Sequence, residues 1–105
     1  MLKKILATSI FLVSINAWAS DGIYCNAGTV KDIQSEQTNV VINISGLGWH
    51  QLGRYEELSF QSRLSMALSA QASGKKLVLV FPLESGVDCN QHNWNVSPLK
   101  VRISN

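Results

Sequence analysis

The sequence carries no glycine-rich phosphate loop, no nucleophile elbow and no His-Glu metal-binding helix. Those gaps remove the common signatures of nucleotide-binding, serine-hydrolase and metalloprotease chemistry, so no enzyme activity, catalytic residue or cofactor is expected. Internal repeats, low-complexity tracts and linkers are also missing, and one domain is expected. Cysteine is scarce, with only Cys25 and Cys89 in 105 residues. Beyond the first 19 residues no apolar run approaches the ~20 residues that span a bilayer, so no membrane insertion is expected there.

A surplus of positive charge is lacking too, although the whole chain carries a formal +2 and a pI near 8.7. Two of its nine basic residues, Lys3 and Lys4, sit in the opening stretch MLKKILATSIFLVSINAWAS. That stretch has the plan of a cleavable signal peptide. A positive start is followed by an apolar run from Ile5 to Ile15, and Ala17 and Ala19 flank Trp18 at the cleavage site. Residues 1–19 are therefore expected to be a signal peptide and residues 20–105 a secreted or periplasmic domain. Once the leader is gone, seven basic residues balance seven acidic ones. No basic stripe remains to neutralise a phosphate backbone, and nucleic acid is not an expected partner.

An oxidising destination gives the two cysteines a role. Domains this small often need a staple, and an even thiol count outside the cytoplasm favours a Cys25–Cys89 disulfide. It would close a loop of about 65 residues, worth up to about 4 kcal/mol through the lost entropy of the unfolded chain. The alternative use of the thiols is a zinc site with His50 and His92. Cys89 and His92 have a ligand-like spacing, but Cys25 and His50 do not, and a disulfide consumes both thiols, so no metal is expected. The same bridge withdraws Cys89 from nucleophilic pairing with His92.

The periodicity predicts mainly strands with one helix. IYCNAGTVKDIQSEQ reads as a first strand with Gly28 as a bulge, and TNVVINISG as a second, rich in β-branched residues. GLGWHQLGRYEEL reads as a loop followed by a short third strand. SFQSRLSMALSAQASGKK is the helix, with Phe60, Leu64, Ala67, Leu68 and Gln71 on one face. Ser59 is expected to cap its N-terminus, with Glu56 and Glu57 forming a solvated face there, and Gly74 to stop it. KLVLVFP forms the next strand, ended by Pro82. PLKVRIS forms the last, with Leu99, Val101 and Ile103 on one side. Three strands, a helix between strands 3 and 4, then two strands is the element order of a five-stranded OB-fold-like antiparallel barrel. A small open α+β sheet is the alternative.

Three features together carry a resemblance. They are a cysteine near the start of the first strand, the helix-to-strand passage SRLSMALSAQASGKKLVLVF, and a cysteine in the loop leading to a short final strand. The chain resembles the OB-fold B subunits of bacterial AB toxins, nearest to the subtilase-cytotoxin and pertussis-like B-subunit group. The resemblance implies an OB fold, a homo-oligomeric ring, a toxin A subunit as partner and host glycan as ligand. This chain is shorter, has a single cysteine pair and shows no sialic-acid-binding Ser-and-Tyr motif. The fold alone is carried over, and no binding residue with it.

The candidate contact residues come from side-chain chemistry. Trp49, His50 and Gln51 form one group and Asn93, Trp94 and Asn95 the other, the latter within VDCNQHNWNVSPL. Indole faces stack on the apolar patches of sugars, and amides both donate to and accept from hydroxyls. The competing account is structural, with tryptophans capping a small core and asparagines serving turns. Asn43-Ile44-Ser45 and Asn95-Val96-Ser97 match the glycosylation pattern, which a bacterial leader makes coincidental. A secreted non-enzymatic binding module for a glycan or another cell-surface ligand is the leading expectation. A periplasmic inhibitor or immunity-type protein that binds another protein is the second.

Overall fold

The structure, a computed structural model, describes residues 22–105. The leader expected at residues 1–19 lies outside the described residues. Strands β1 (Gly22–Tyr24), β2 (Gly28–Ser35), β3 (Asn39–Ile44) and β4 (Gly48–Arg54) precede helix α1 (Phe60–Ser73), and β5 (Lys76–Pro82) and β6 (Lys100–Ser104) follow it. The described chain is mainly β with one helix, in one antiparallel sheet that curls into a half-barrel.

β5 is the hub of this sheet. One edge pairs with β6, from Lys76↔Ser104 to Val80↔Lys100. The other edge takes β2 at Gly28↔Leu77 and then β1 at Tyr24↔Val80. The single first strand expected from the sequence is thus broken at residues 25–27, so four strands precede the helix. Gly28 is a ladder position rather than a bulge. A Cβ on it would lie 2.6 Å from both the Ile44 side chain and the Ser45 carbonyl oxygen, so only glycine lets β2 leave β5 and join β3 here. The irregularity falls instead between Val30 and Asp32, with a second between Val40 and Val41. Such bulges sharpen the strand twist and help the sheet curl.

The continuous apolar run of β5 is explained by burial on both faces: Leu77 to Phe81 are all buried. Leu77, Leu79 and Phe81 join Val30, Ile42, Ile44 and Leu52 in a core that α1 covers with Phe60, Ala67 and Ala70. Leu99, expected on one side of the last strand with Val101 and Ile103, is exposed and lies before the strand, whereas Val101 and Ile103 pack on the core.

The helix face agrees with the expected one at Phe60, Leu64 and Ala67, which pack on the core, and departs from it at Leu68 and Gln71. Its buried residues are Phe60, Arg63, Ala67 and Ala70, while Leu68 is half exposed and Gln71 exposed. Arg63 turns the helix this way because its guanidinium has acceptors inside. It donates to the Leu52 carbonyl oxygen at 2.9 Å and to Glu57 at 2.8 Å. Ser59 consequently makes no capping bond and instead accepts from Arg63 Nη2 at 2.9 Å. Glu57 is half-buried rather than part of a solvated face, and only Glu56 is exposed, paired with Arg54. At the other end Gly74 adopts the left-handed conformation, φ 71°, as expected for a helix stop.

Candidate functional site

The loop between β5 and β6 brings the two candidate groups together. Cys25, just after β1, forms a disulfide with Cys89, with Cα atoms 5.4 Å apart. A Cys2His2 zinc set is therefore not available. From Cys89 the loop runs beside β4, where Asn93 makes a parallel bridge to His50. Asn93 donates its N–H to the Trp49 carbonyl oxygen at 2.9 Å, and its own carbonyl accepts from Gln51 N–H at 2.7 Å.

Register decides which members of TRP-HIS-GLN on β4 reach solvent. Ile42 faces His50, so the imidazole joins the core side, and Asn43 faces Trp49, which lies on the outer face. His50 and Gln51 are fully buried, so neither offers a contact surface; each secures the loop instead. His50 Nε2–H donates to the Cys89 carbonyl oxygen at 3.0 Å and its ring lies 5.5 Å from that of Phe81. Burial lowers its pKa below the usual imidazole value, against the opposing pull of backbone groups at Cys89 and Leu47. Gln51 has both ends of its amide engaged. Its oxygen accepts from Asn39 at 2.7 Å, and its NH2 donates to the Asn95 carbonyl oxygen at 3.1 Å and to Ser97 Oγ at 2.9 Å.

Asn93 is the organiser of the loop tip. Its side-chain oxygen accepts from the amides of Asn95 and Val96, and its NH2 donates to the Val96 carbonyl oxygen at 2.8 Å. These bonds make a local Asx-type turn and leave little of the Asn93 amide for a ligand. The turn thrusts Trp94 and Asn95 outward, and both are exposed. Trp94 keeps 47% of its surface in solvent, so it does not simply cap the core.

Trp94 stacks on Trp49, with ring centroids 6.2 Å apart and planes 27° apart, an offset arrangement that the π quadrupole favours. On its other contact the His92 ring lies 5.6 Å away. His92 Nδ1 accepts the Trp49 backbone N–H at 3.1 Å, which places the ring proton on Nε2. The two indoles and the imidazole form one aromatic platform. Sequence reasoning considered His92 only as a metal ligand or catalytic partner and did not place it here. The available signal was Gly48, whose φ is +90° and whose Cβ, if present, would lie 3.0 Å from the His92 ring. The positive φ favours glycine there, and the missing side chain lets the imidazole lie close against the strand.

No protein-family model, curated protein or solved structure matches this chain. The resemblance to toxin B subunits therefore rests on the sequence features alone. Among the described residues no helix is long and apolar enough to cross a membrane. The disulfide fits an oxidising compartment.

A second polar centre lies under the platform's loop. Burial pushes the Glu57 carboxyl up, yet hydrogen bonds from Arg63, the Arg54 amide and Ser97 outweigh it and hold Glu57 below the ordinary glutamate value. Ser97 thus acts on the half-buried Arg63–Glu57 pair as well as accepting from Gln51. The loop is anchored by a covalent bond at one end, two backbone bonds in its middle and side-chain bonds before β6. Such a frame holds a surface group in place before any ligand arrives, which lowers the ordering cost of binding.

Proposed function

We propose that this protein is a secreted, non-enzymatic binding module that resembles a toxin B subunit and holds carbohydrate on the Trp49–Trp94–His92 platform. The observation that carries the reading is the half-exposed Trp94, stacked on Trp49 and held out by a loop whose every anchor is internal. The C–H edges of a pyranose carry partial positive charge and pack on the negative face of an indole. The exposed Asn95 beside it supplies a donor and an acceptor for hydroxyls.

An OB-type barrel is the finer form of the fold that we propose. β1 and β2 share one edge of β5 and so occupy a single strand position, which reduces the six strands to five. The Asn93 bridge beside β4 then covers the gap in a partly open barrel. Ring assembly and a toxin A subunit belong to the same reading.

The test is a glycan array on the mature protein, with light scattering to read the assembly state. Binding of one glycan class that Trp94→Ala abolishes, with the fold retained, supports the reading; a monomer that binds no glycan overturns it. The exposed Leu83 and Leu99, at the two ends of the same loop, favour a second reading. In it the loop inserts into another protein, as in a periplasmic inhibitor or immunity-type partner. Stoichiometric capture of one secreted enzyme, lost on Trp94→Ala, would favour that alternative.

A further inference from the structure

The platform does not end at Trp49. Strand register places Asp32 of β2 opposite Asn43 of β3, and Asn43 opposite Trp49 of β4. Directly opposed side chains in antiparallel strands share a face, with Cβ atoms about 4.5–5.5 Å apart. A carboxylate, an amide and an indole thus form one row across three strands of the outer face, and Trp94 continues it by stacking. From Asp32 to Trp49 the row covers two strand spacings, about 10 Å.

The polar half of this row has bonding capacity to spare. Asn43 donates one N–H to Asp32 Oδ2 at 3.0 Å, which orients both groups. The Asn43 carbonyl oxygen, its second N–H and the remaining Asp32 carboxylate oxygen are left for a ligand. Asp32 is exposed, and the ion pairs among the described residues, Arg54–Glu56 and Arg63–Glu57, lie elsewhere. Its negative charge is therefore not cancelled by a bridge. A carboxylate so placed accepts strongly from neutral hydroxyls and repels a carboxylate or sulfate brought to the same spot.

We infer that Asp32 and Asn43 form the hydroxyl-binding half of the site, and that its ligand is an uncharged pyranose saccharide rather than an acidic one. The inference rests on the proposed carbohydrate-binding reading and narrows it. The saccharide lies along the row, one ring against the indoles and the next presenting adjacent hydroxyls to Asn43 and Asp32.

The experiment uses an array of neutral hexose oligosaccharides beside sialylated, uronate-containing and sulfated glycans, probed with the mature disulfide-bonded protein. Wild type, Asp32→Asn and Trp94→Ala are compared, with the backbone amide NMR spectrum of each checking the fold. Asp32→Asn keeps an acceptor for the Asn43 N–H, so it removes charge with little change of shape. The expected result is binding of neutral glycans only, weakened about tenfold by Asp32→Asn through loss of a charge-assisted hydrogen bond. The same variant should raise binding of acidic glycans, and in wild type the Asn43 side-chain NH2 resonances should shift on adding a neutral trisaccharide. Neutral binding that Trp94→Ala abolishes while Asp32→Asn changes nothing overturns this inference and leaves the aromatic platform standing. A wild-type preference for acidic glycans does the same. Binding of neither class overturns both.

Discussion

The buried amide of Gln51 donates to the carbonyl oxygen of Asn95, 44 residues further along the chain, at 3.1 Å. A core strand thus holds the backbone beside Trp94, and the position of the indole depends on a residue buried beneath the loop. The three partners of Gln51 lie on β3 and on both sides of the loop's last turn.

Replacing Gln51 with Leu keeps much of the volume and strips these bonds. Asn39 and the Asn95 carbonyl then lose a partner in a dry setting, at a cost of about 2–3 kcal/mol overall. Urea unfolding should report that loss. Hydrogen exchange should quicken at the Asn95 and Val96 amides well beyond what global destabilisation accounts for, whereas unchanged exchange there would show that the loop holds itself.

His50 makes stability depend on pH. Its folded pKa is depressed by burial, so the unfolded chain takes up a proton more readily. Its contribution is complete above the ordinary imidazole value, near 6.5, and is lost as pH falls from there through the depressed folded value. His50→Gln should flatten the stability profile across that window. An NMR titration in which His50 takes up its proton at or above the ordinary value would contradict the assignment.

Glu57 acts lower on the pH scale with the same sign. Its folded pKa is held below the ordinary value, so its stabilisation is present at neutral pH and lost as acidification passes through the folded value. Glu57→Gln leaves Arg63 with its bonds to Leu52 and Ser59 but without a countercharge, and should cost about 2–3 kcal/mol at pH 7. The gap between variant and wild type should close in acid, which chemical denaturation at several pH values would read.

Gly48→Ala tests the seat of His92. A methyl group there meets the imidazole at 3.0 Å on a backbone with φ of +90°, so the ring must shift by a few tenths of an ångström and the alanine is held in a strained conformation. A loss of about 1–2 kcal/mol is expected. The near-UV circular dichroism of the stacked tryptophans should fall with it, and retention of the full signal would place His92 outside the platform.

The disulfide works on the unfolded chain and on the loop together. Cys25→Ser with Cys89→Ser should lower stability by up to about 4 kcal/mol, since the bridge spans 64 positions. Calorimetry with and without reductant gives the same comparison on the native chain.

Much of the fold was legible because local pattern and burial agree. β3 and β5 were readable from runs of β-branched and apolar residues, and α1 from its period and from Gly74. The helix face was legible only at Phe60, Leu64 and Ala67, because Arg63 carries no apolar signal; its burial depends on Leu52 and Glu57 lying within reach once the chain has folded. The length of β4 was hidden for a similar reason. Gly48 and Gly53 look like loop residues, yet a Cβ on Gly53 would collide with Arg63 Nη1, so that glycine makes room for the guanidinium.

By itself the sequence determined the β-rich class with one helix, and named the pair of cysteines that a disulfide joins. Those follow from composition, periodicity and the chemistry of thiols, which are local or pairwise properties. It also offered Trp49, His50, Gln51, Asn93, Trp94 and Asn95 as candidates, without their placement. Only the tertiary structure decided that His50 turns into the core, that Gln51 is buried under the loop on the other face, that Trp49 and Trp94 stack outward beside His92, and that Asp32 and Asn43 share their row. Alternation along a strand says that neighbours face opposite ways; which way is inward is set by register with β3 and by the loop laid along β4.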